Sequence, residues 1–444
     1  MKDTKTVKKI VSIVEGLALN GRAFINADGC ELWLNGFLPG DKIEVGLNEK
    51  GHIVEAELLE ASPNRVKPDC FYHGPCGGCD LLELSEKARK KEKQKMIDRA
   101  LAGITDGHKA KVHPFMGSRE IIHYMPRVRL HQSRSYEERA SGFLASEAFA
   151  GKVPGGVVPV TSCALLMPTL SRRLVAARKI LDQVPIFLES LNLMSSSSLQ
   201  ADRVVGHAVL MKGKSTGPFY KDLVKIMRSA NLKGLTVASA DGKIKEVLEI
   251  PTVTGLIAPD VDGGPYESEA SFFVQGNICQ NPLLVRKVVE FCSPEEGKRI
   301  VEGFAGAGNF TLALGAAGAK VEAVESHPGA VRAGIKNIHK GGLSGRVSLV
   351  EGDAIKMLPE FEPNPDVLLL DPPRTGTPGI GRILSKLAPK KVVCVFCDLE
   401  SAVKDTNAMI RAGYRFTDVQ GIDLYPRTHH VECVVLMSRV EKQV

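Results

Sequence analysis

The sequence lacks a long apolar run, an apolar leader and any extended repeat. No stretch approaches the about 18 consecutive apolar residues that a membrane-spanning helix requires, so we expect no membrane partner. The first residues, MKDTKTVKKI, are polar and basic; they predict no signal peptide, and the expected location is the cytoplasm. In that reducing compartment the ten cysteines should stay as thiols. Disulfides are therefore disfavoured, and clustered cysteines favour metal or cluster binding.

The composition is that of an ordinary globular protein. At 444 residues, 43% hydrophobic and 25% charged, the chain is long enough for two or three domains. Its formal net charge of +7 suits a nucleic-acid partner, but a mildly basic surface without such a partner has the same charge. Charge alone leaves both interpretations open. The sequence gives no sign of an obligate protein partner.

Three regions differ in their apolar pattern. Residues 1–62 contain short alternating segments separated by Gly, Asn and Asp, which predict barrel-like strands. Residues 63–268 form a mixed central region with a basic helix near its start, whose side chains either form a solvated face or contact phosphates. Residues 269–444 alternate strand-like and helix-like runs. That alternation predicts a doubly wound parallel sheet and an α/β fold class.

The segment RIVEGFAGAGNF places three glycines, Gly303, Gly306 and Gly308, between a predicted strand and a predicted helix. Glycines in such a turn let the backbone approach a ligand closely. Glu325 ends the next predicted strand, about 20 residues further on, where an acid can accept ribose hydroxyls. The pattern predicts a nucleotide site, and the alternative is a tight turn without a ligand.

A second motif, DVLLLDPPRTG, lies at the carboxyl end of a later predicted strand. Asp371 then lies beside the crevice in which such sheets bind ligands, and the two prolines fix the turn. Many methyltransferases carry a motif of this kind. Amino-group methyltransferases usually follow it with an aromatic residue, but Arg374 follows it here, so amino-group methylation is disfavoured.

A nucleophile and a base are found at two further strand ends. Cys397 ends the predicted strand KVVCVFC, and Glu432 lies in HHVECVV. A thiolate can attack C6 of uracil, which activates C5 toward a methyl group, and a base must then remove the C5 proton. Taken singly, the cysteine is equally a small buried residue and the glutamate a solvated one. We interpret the remaining cysteines of this half as core or incidental: Cys279, Cys292, Cys394 and Cys433.

The segment CFYHGPCGGC brings Cys70, Cys76 and Cys79 within ten residues. Without oxidation, three such thiols favour a metal ion or a cluster over disulfides. The spacing alone also allows a zinc site with four cysteine ligands.

These motifs together resemble the iron–sulfur branch of the RNA 5-methyluridine methyltransferases, which acts on 23S ribosomal RNA. The resemblance spans nearly the whole chain; EGLALNGRAF, LNGFLPGDKIEV and SPNRVKPDC resemble the TRAM domain, an OB-like RNA-binding barrel, and its exit. It implies that the clustered cysteines, with Cys163 as a distant fourth ligand, hold a [4Fe–4S] cluster.

The resemblance also implies roles in the carboxy-terminal region. FFVQGNICQN places Gln275 at the cofactor S-adenosylmethionine, FCDLESAVKD makes Cys397 the nucleophile, and DLYPRTHHVECVVLMSR makes Glu432 the base. The other implied cofactor contacts are Phe304, Asn309, Glu325, Asp353 and Asp371. The expected partner is RNA, most directly ribosomal RNA, with transfer RNA as the alternative.

Two departures from the family pattern stand out. The family usually has Ser before the nucleophile and Asn-Pro after it, whereas Phe396, Asp398 and Leu399 surround Cys397 here. An acid beside the thiol would raise its pKa and slow thiolate formation. The segment MPRVRLHQS also differs from the usual RNA-facing strand. These departures motivate a rival hypothesis, a non-catalytic iron–sulfur RNA-binding protein.

Overall fold

The computed structural model describes residues 8–27, 29–133, 140–196, 203–249, 252–256 and 265–440. Its amino-terminal part contains two three-stranded antiparallel sheets, with strand orders β1-β5-β6 and β2-β3-β4. Side chains of both sheets, including Ile25 and Ile43, are buried in one common core. Short strands were predicted here, whereas closure into a barrel stays a prediction. The strands are β1 (Lys8–Ile13), β2 (Gly16–Leu17), β3 (Ala23–Ala27), β4 (Cys30–Leu34), β5 (Lys42–Leu47) and β6 (Ile53–Glu60).

The cysteine segment leads into helix α1 (Glu86–Ala102), which begins where Ser85 accepts a hydrogen bond from the Ala88 amide. Met96 and Ile97 of this helix join the core that the amino-terminal sheets share with the carboxy-terminal sheet. Its basic side chains do not form one surface. Arg89 and Lys93 are buried, whereas the exposed ones are Lys87, Lys91 and Lys95. Only part of the basic run is therefore available to contact phosphates.

The central region is built on a seven-stranded sheet with the order β10-β9-β8-β11-β12-β13-β14. The predicted antiparallel pairing around residues 127–144 is confirmed, since His131 of β8 faces Gly142 of β9. Two helices cover the sheet and share its apolar core. The elements are β8 (Arg127–Gln132), β9 (Ser141–Leu144), β10 (Val157–Val158), α2 (Pro168–Gln183), β11 (Leu188–Ser195), β12 (Val204–Leu210), α3 (Thr216–Ser229), β13 (Leu235–Ala238) and β14 (Ile244–Leu248), followed by the hairpin β15 (Thr252–Leu256) and β16 (Pro265–Glu269).

The carboxy-terminal region confirms the predicted alternation of strands and helices. The strand over residues 367–370, VLLL, is apolar and fully buried, as a strand covered on both faces must be. The elements are α4 (Asn281–Cys292), β17 (Arg299–Gly303), α5 (Thr311–Ala316), β18 (Lys320–Glu325), α6 (Pro328–Lys340), β19 (Val347–Glu351), α7 (Ala354–Met357), β20 (Val367–Leu370), α8 (Ile380–Leu387), β21 (Lys391–Phe396), α9 (Leu399–Arg411), β22 (Tyr414–Ile422) and β23 (Glu432–Arg439).

These strands form an eight-stranded sheet with the order β19-β18-β17-β20-β21-β23-β22-β7. Strands β17 to β21 are parallel, and the chain reverses direction across the sheet between β17 and β20, where ligands bind in folds of this kind. The outermost strand is β7 (Lys111–Met116), which comes from the central region of the sequence and pairs with β22. Within the described residues, no helix is both long and apolar enough to cross a membrane.

Candidate active site and cysteine cavity

A cavity of about 640 Å³ opens at the carboxyl ends of the parallel strands. It lies at the point where the strand order reverses, as the fold predicts. The structure brings together on its wall all the predicted catalytic and cofactor residues except Asp353: Gln275, Phe304, Asn309, Glu325, Asp371, Cys397 and Glu432.

The glycine-rich turn after β17 forms one side of this cavity. Phe304, Gly306 and Gly308 all have positive φ angles, of 63°, 57° and 99°, so the two glycines suit the backbone that the turn requires. Glu325 fixes the turn from the next strand, because its carboxylate accepts hydrogen bonds from the amides of Gly306 (3.0 Å) and His327 (2.7 Å). The carboxylate keeps further lone pairs with which it can accept hydroxyl hydrogens.

Gln275 and Asp371 meet on the opposite side of the cavity. The Gln275 amide donates to Asp371 Oδ2 at 3.2 Å. Burial raises the pKa of Asp371 to about 7. The Gln275 Oε1 atom is buried and has no hydrogen-bond partner within the described residues. Because a buried acceptor without a donor is costly, this atom fits a ligand that carries an amino group, as S-adenosylmethionine does.

Two other predicted cofactor residues already have partners in the protein. Asn309 exchanges two amide hydrogen bonds with Asn281, of 2.8 and 3.0 Å, so its orientation on the cavity wall is fixed. Asp353 lies at the start of α7, where its carboxylate accepts a hydrogen bond from the Ile355 amide at 2.9 Å. Asp353 does not line the cavity. Its contact with the cofactor stays a prediction.

Strand pairing places Cys397 opposite Glu432. Strands β21 and β23 are antiparallel with Phe396 facing Cys433, so the residue after Phe396 and the residue before Cys433 meet at the strand ends. Both side chains line the cavity. The arrangement puts a thiol and a carboxyl group on the same wall, which is what attack at one carbon and proton removal at its neighbour require.

Burial dominates the electrostatics of this pair. Burial, followed by the charges of Glu432 and Asp371, raises the pKa of the Cys397 thiol to about 12. Burial and the charge of Asp371 raise the pKa of Glu432 to about 8. The Arg374 guanidinium acts in the opposite direction on both pKa values. Arg374 is therefore the cation that favours the thiolate and the carboxylate.

The unusual neighbours of Cys397 serve the fold. Phe396, the last residue of β21, is buried in the apolar core. Asp398 caps α9, because its carboxylate accepts a hydrogen bond from the Ser401 amide at 2.8 Å. It raises the thiol pKa as expected, but it is the weakest of the causes, after burial, Glu432, Asp371 and Arg374.

Tyr425 and His430 also line the cavity, although no role was predicted for them. Both lie in the loop that precedes Glu432, so nearness to the predicted base was the available signal. His430 Nε2 accepts a hydrogen bond from Arg374 at 3.0 Å, which orients the guanidinium. Burial lowers the pKa of His430 to about 4, so it is a neutral acceptor at physiological pH.

A second cavity, of about 880 Å³, is lined by Cys70, Cys76, Cys79 and Cys163. All four are free thiols. Burial raises the pKa values of the thiols of Cys76, Cys79 and Cys163, in Cys79 to about 12, and the neighbouring thiols add to this. Such a group is costly to ionise unless a cation is bound. In the described part of the chain, no three His, Cys, Asp or Glu side chains converge on a point that could hold a single metal ion.

The doubly wound sheet, the glycine-rich turn and the cavity define a Rossmann-like methyltransferase fold. Comparison with known structures agrees, since the tRNA (uracil-54, C5)-methyltransferase of Pyrococcus abyssi, solved in complex with S-adenosyl-L-homocysteine, has the same fold. The two structures align with a TM-score of 0.69 over 96% of this chain and 100% of the other, at 20% sequence identity.

Sequence comparisons find one similar family model and similar full-length proteins. The family model described as tRNA (Uracil-5-)-methyltransferase matches residues 242–440. The 23S rRNA (uracil(1939)-C(5))-methyltransferase RlmD of Shewanella sp. (strain ANA-3) is 29% identical over 442 residues, covering 94% of this chain and 93% of the relative. The enzyme of the same name from Edwardsiella ictaluri is 27% identical, covering 98% and 97%. The carboxy-terminal part of this chain therefore matches the family model, and nearly the whole chain is similar to 23S rRNA uracil-C5-methyltransferases at 27% to 29% identity.

Glu325 provides a test of the cofactor pocket. We expect Glu325→Ala to weaken S-adenosylmethionine binding by about 1.5–3 kcal/mol, because charge-assisted hydrogen bonds of this kind contribute that much. Isothermal titration calorimetry measures the change. Glu351→Ala is the matched control, since Glu351 is the exposed residue opposite Glu325 at the end of β19. Unchanged affinity in Glu325→Ala would remove Glu325 from the cofactor site.

Glu432 provides a test of the electrostatics through stability. Burial raises its pKa in the folded protein from 4.5 to about 8. Between these values the unfolded chain releases this proton while the folded protein keeps it, so stability falls as the pH rises. Glu432→Gln cannot ionise. We expect its free energy of unfolding, measured with urea, to fall less than that of the wild type between about pH 5 and about pH 8. An equal fall in both proteins would contradict the raised pKa.

Proposed function

We propose that this protein transfers a methyl group from S-adenosylmethionine to C5 of a uridine in RNA, with 23S ribosomal RNA as the substrate. The observation that carries the proposal is the position of Cys397 opposite Glu432, on the wall of the cavity that also contains Glu325 and Gln275. The names of the relatives support ribosomal RNA. Transfer RNA is the second candidate, because the family model and the similar solved structure carry tRNA names.

The reaction begins at Cys397. Its thiolate forms a bond to C6 of the uracil ring, and the electrons of the C5–C6 double bond move into an enolate, which makes C5 nucleophilic. Glu325 and Gln275 would hold S-adenosylmethionine, whose methyl group would pass to C5 as its bond to the sulfonium sulfur breaks and S-adenosylhomocysteine is left. Arg374 lowers the pKa of the thiol and therefore favours the attacking form.

Glu432 completes the reaction. After methylation C5 carries both a methyl group and a hydrogen. The carboxylate of Glu432 removes that hydrogen as a proton, the C5–C6 double bond re-forms, and the bond between C6 and the Cys397 sulfur breaks. Arg374 also lowers the pKa of Glu432, which favours the carboxylate that this step needs.

The RNA must present an unstacked base to this cavity. A uridine inside a helix cannot reach a buried thiol, so the target base is flipped out or lies in a single-stranded loop. The amino-terminal strands resemble an RNA-binding TRAM domain, and we propose that they hold the RNA next to the active site. The exposed lysines of α1 would add contacts to RNA phosphates.

We propose that Cys70, Cys76, Cys79 and Cys163 bind a [4Fe–4S] cluster. One feature of the structure, the spread of the thiols around a cavity, favours a cluster over zinc. The four thiols surround a cavity, and they do not converge on a point as the ligands of a Zn²⁺ ion at about 2.3 Å must. The raised pKa values of three of these thiols suit a bound cation of either kind. A cluster with several irons takes four thiolates around a larger volume.

Substitution of Cys397 and Glu432 tests the mechanism, because the two residues act at different steps. Cys397→Ala should give neither methylated RNA nor a covalent adduct. Glu432→Gln should lose turnover but accumulate a methylated protein–RNA adduct that survives denaturing electrophoresis, since attack and methyl transfer precede proton removal. Cys433→Ala, next in the strand and buried outside the cavity, is the matched control.

Two outcomes would overturn this assignment. Methylation of uridine by Cys397→Ala would show that another residue is the nucleophile, and normal turnover by Glu432→Gln would show that another residue is the base. The wild-type protein should also form an adduct with RNA that contains 5-fluorouridine, because fluorine at C5 blocks the last step. The rival hypothesis of a non-catalytic RNA-binding protein predicts no adduct with this RNA.

Iron analysis tests the cluster. Protein purified without oxygen should be brown and contain about four irons per chain, since four thiolate ligands suit a [4Fe–4S] cluster. Cys163→Ser should lose the iron, whereas Cys279→Ser, an exposed cysteine outside the cavity, should keep it. Stoichiometric zinc without iron in the wild-type protein would defeat the cluster assignment.

A further inference from the structure

The loop that carries the residues before the base has hydrogen bonds of its own, from Thr428 to Tyr425 and from His430 to Thr428, and further polar contacts from other segments. We call residues 423–431 the base loop; it joins β22 to Glu432, the first residue of β23. Tyr425 and His430 of the base loop line the active-site cavity. A nine-residue connection of this kind needs tertiary contacts to hold one conformation, and the position of Glu432 depends on that conformation.

Lys93 of α1 joins the two ends of the base loop by hydrogen bonds. Its ammonium group is fully buried and donates to Asp423 Oδ1 (2.6 Å) and to the carbonyl oxygens of Tyr425 (2.8 Å) and His430 (2.9 Å). All three of its hydrogens are used, and they join the beginning of the loop to its end. A buried ammonium ion is stable only with such partners, so the contact is specific.

Two aspartates, one directly before and one directly after the clustered cysteines, also bind the base loop. Asp69, directly before Cys70, binds the buried Arg427 guanidinium with both carboxylate oxygens, at 2.7 and 2.9 Å. Asp80, directly after Cys79, accepts a hydrogen bond from the His429 amide at 2.9 Å and contacts the His429 ring. The two aspartates therefore flank the clustered cysteines in sequence and fix the middle of the base loop in space.

From this geometry we propose that Asp69 and Asp80 are positioning residues for Glu432, and that a filled cysteine site keeps them in place. The inference rests on the proposed function of Glu432 as the base. A cluster bound by Cys70 and Cys79 fixes the two ends of the segment, and the aspartates beside these ends pass that order to the base loop. Cys397 itself lies outside the base loop, between β21 and α9, and the base loop acts on it through His430, which orients Arg374.

The consequence is specific to one step of the reaction. Displacing a catalytic group by about 1 Å can lower a rate about 100-fold. Loosening the base loop therefore slows removal of the C5 proton most, because Glu432 directly follows the loop, while attack by Cys397, whose backbone lies outside the loop, and methyl transfer continue. A variant with a loosened base loop should therefore accumulate a methylated protein–RNA adduct, while its iron content and its affinity for S-adenosylmethionine stay unchanged. A purely structural role would instead lower all of these quantities together.

The test uses the full-length protein with its metal bound, comparing Asp69→Asn, Asp80→Asn and the double variant with Asp106→Asn. Asp106 is an exposed aspartate whose ion pair, with Lys109, lies within its own turn, so its variant should behave as wild type. We expect the double variant to turn over about 10- to 100-fold more slowly and to accumulate the methylated adduct. Turnover within twofold of the wild type, or loss of turnover without adduct although iron is retained, would overturn the inference.

Hydrogen exchange gives a readout that does not depend on activity. The His429 amide, which donates to Asp80, should exchange faster in Asp80→Asn and in wild-type protein from which iron has been chelated, whereas amides of β21 should not change. Unchanged exchange of the base loop after iron removal would overturn the link to the cysteine site, even if a variant fails to fold. If the wild-type protein forms no adduct yet the base loop responds, the proposed function fails and the coupling stands.

Discussion

The antiparallel pairing of β23 with β21 is the constraint on which the active site depends. If all strands were parallel, the residues at this edge of the sheet would all come from the carboxyl ends of strands. Strand β23 runs antiparallel to β21, so its first residue, Glu432, meets Cys397, the residue that directly follows β21. The thiol and the carboxyl group thereby line one cavity. The price is burial of both, which raises their pKa values and makes Arg374 necessary as a local cation.

The amino-terminal half of the chain is joined to this centre through polar contacts as well as apolar packing. The core of the amino-terminal sheets continues through α1 into one face of the carboxy-terminal sheet. Lys93 of α1 binds both ends of the base loop, and Asp69 and Asp80, which flank the clustered cysteines, bind its middle. Strand β7, which comes from the central region of the sequence, pairs with β22 at the edge of the eight-stranded carboxy-terminal sheet. The catalytic geometry is therefore a property of the whole chain, although the family model covers only residues 242–440.

The sequence predicted well whatever is determined by local pattern. Apolar runs of strand length, separated by helix-like segments, predicted the doubly wound sheet, and residues at the ends of those runs formed the cavity, as Glu325, Asp371 and Cys397 show. Contacts between distant segments were not predictable in this way. Nothing local distinguishes the buried Lys93 from the exposed Lys91 in a basic helix, and nothing pairs β7 with a strand 300 residues later. Asp353 shows the converse, since a strand-end acid can serve as a helix cap.

Release of the C5 hydrogen of uridine is the most direct measurement of the central claim. RNA made with uridine tritiated at C5 would be incubated with the purified protein, with and without S-adenosylmethionine, and tritium would be counted in the water while methyl groups are counted in the RNA. The account predicts that tritium is released only when S-adenosylmethionine is present, with one tritium lost for each methyl group gained at the target uridine. Methylated RNA that keeps its tritium, or no release from ribosomal or transfer RNA, would contradict it.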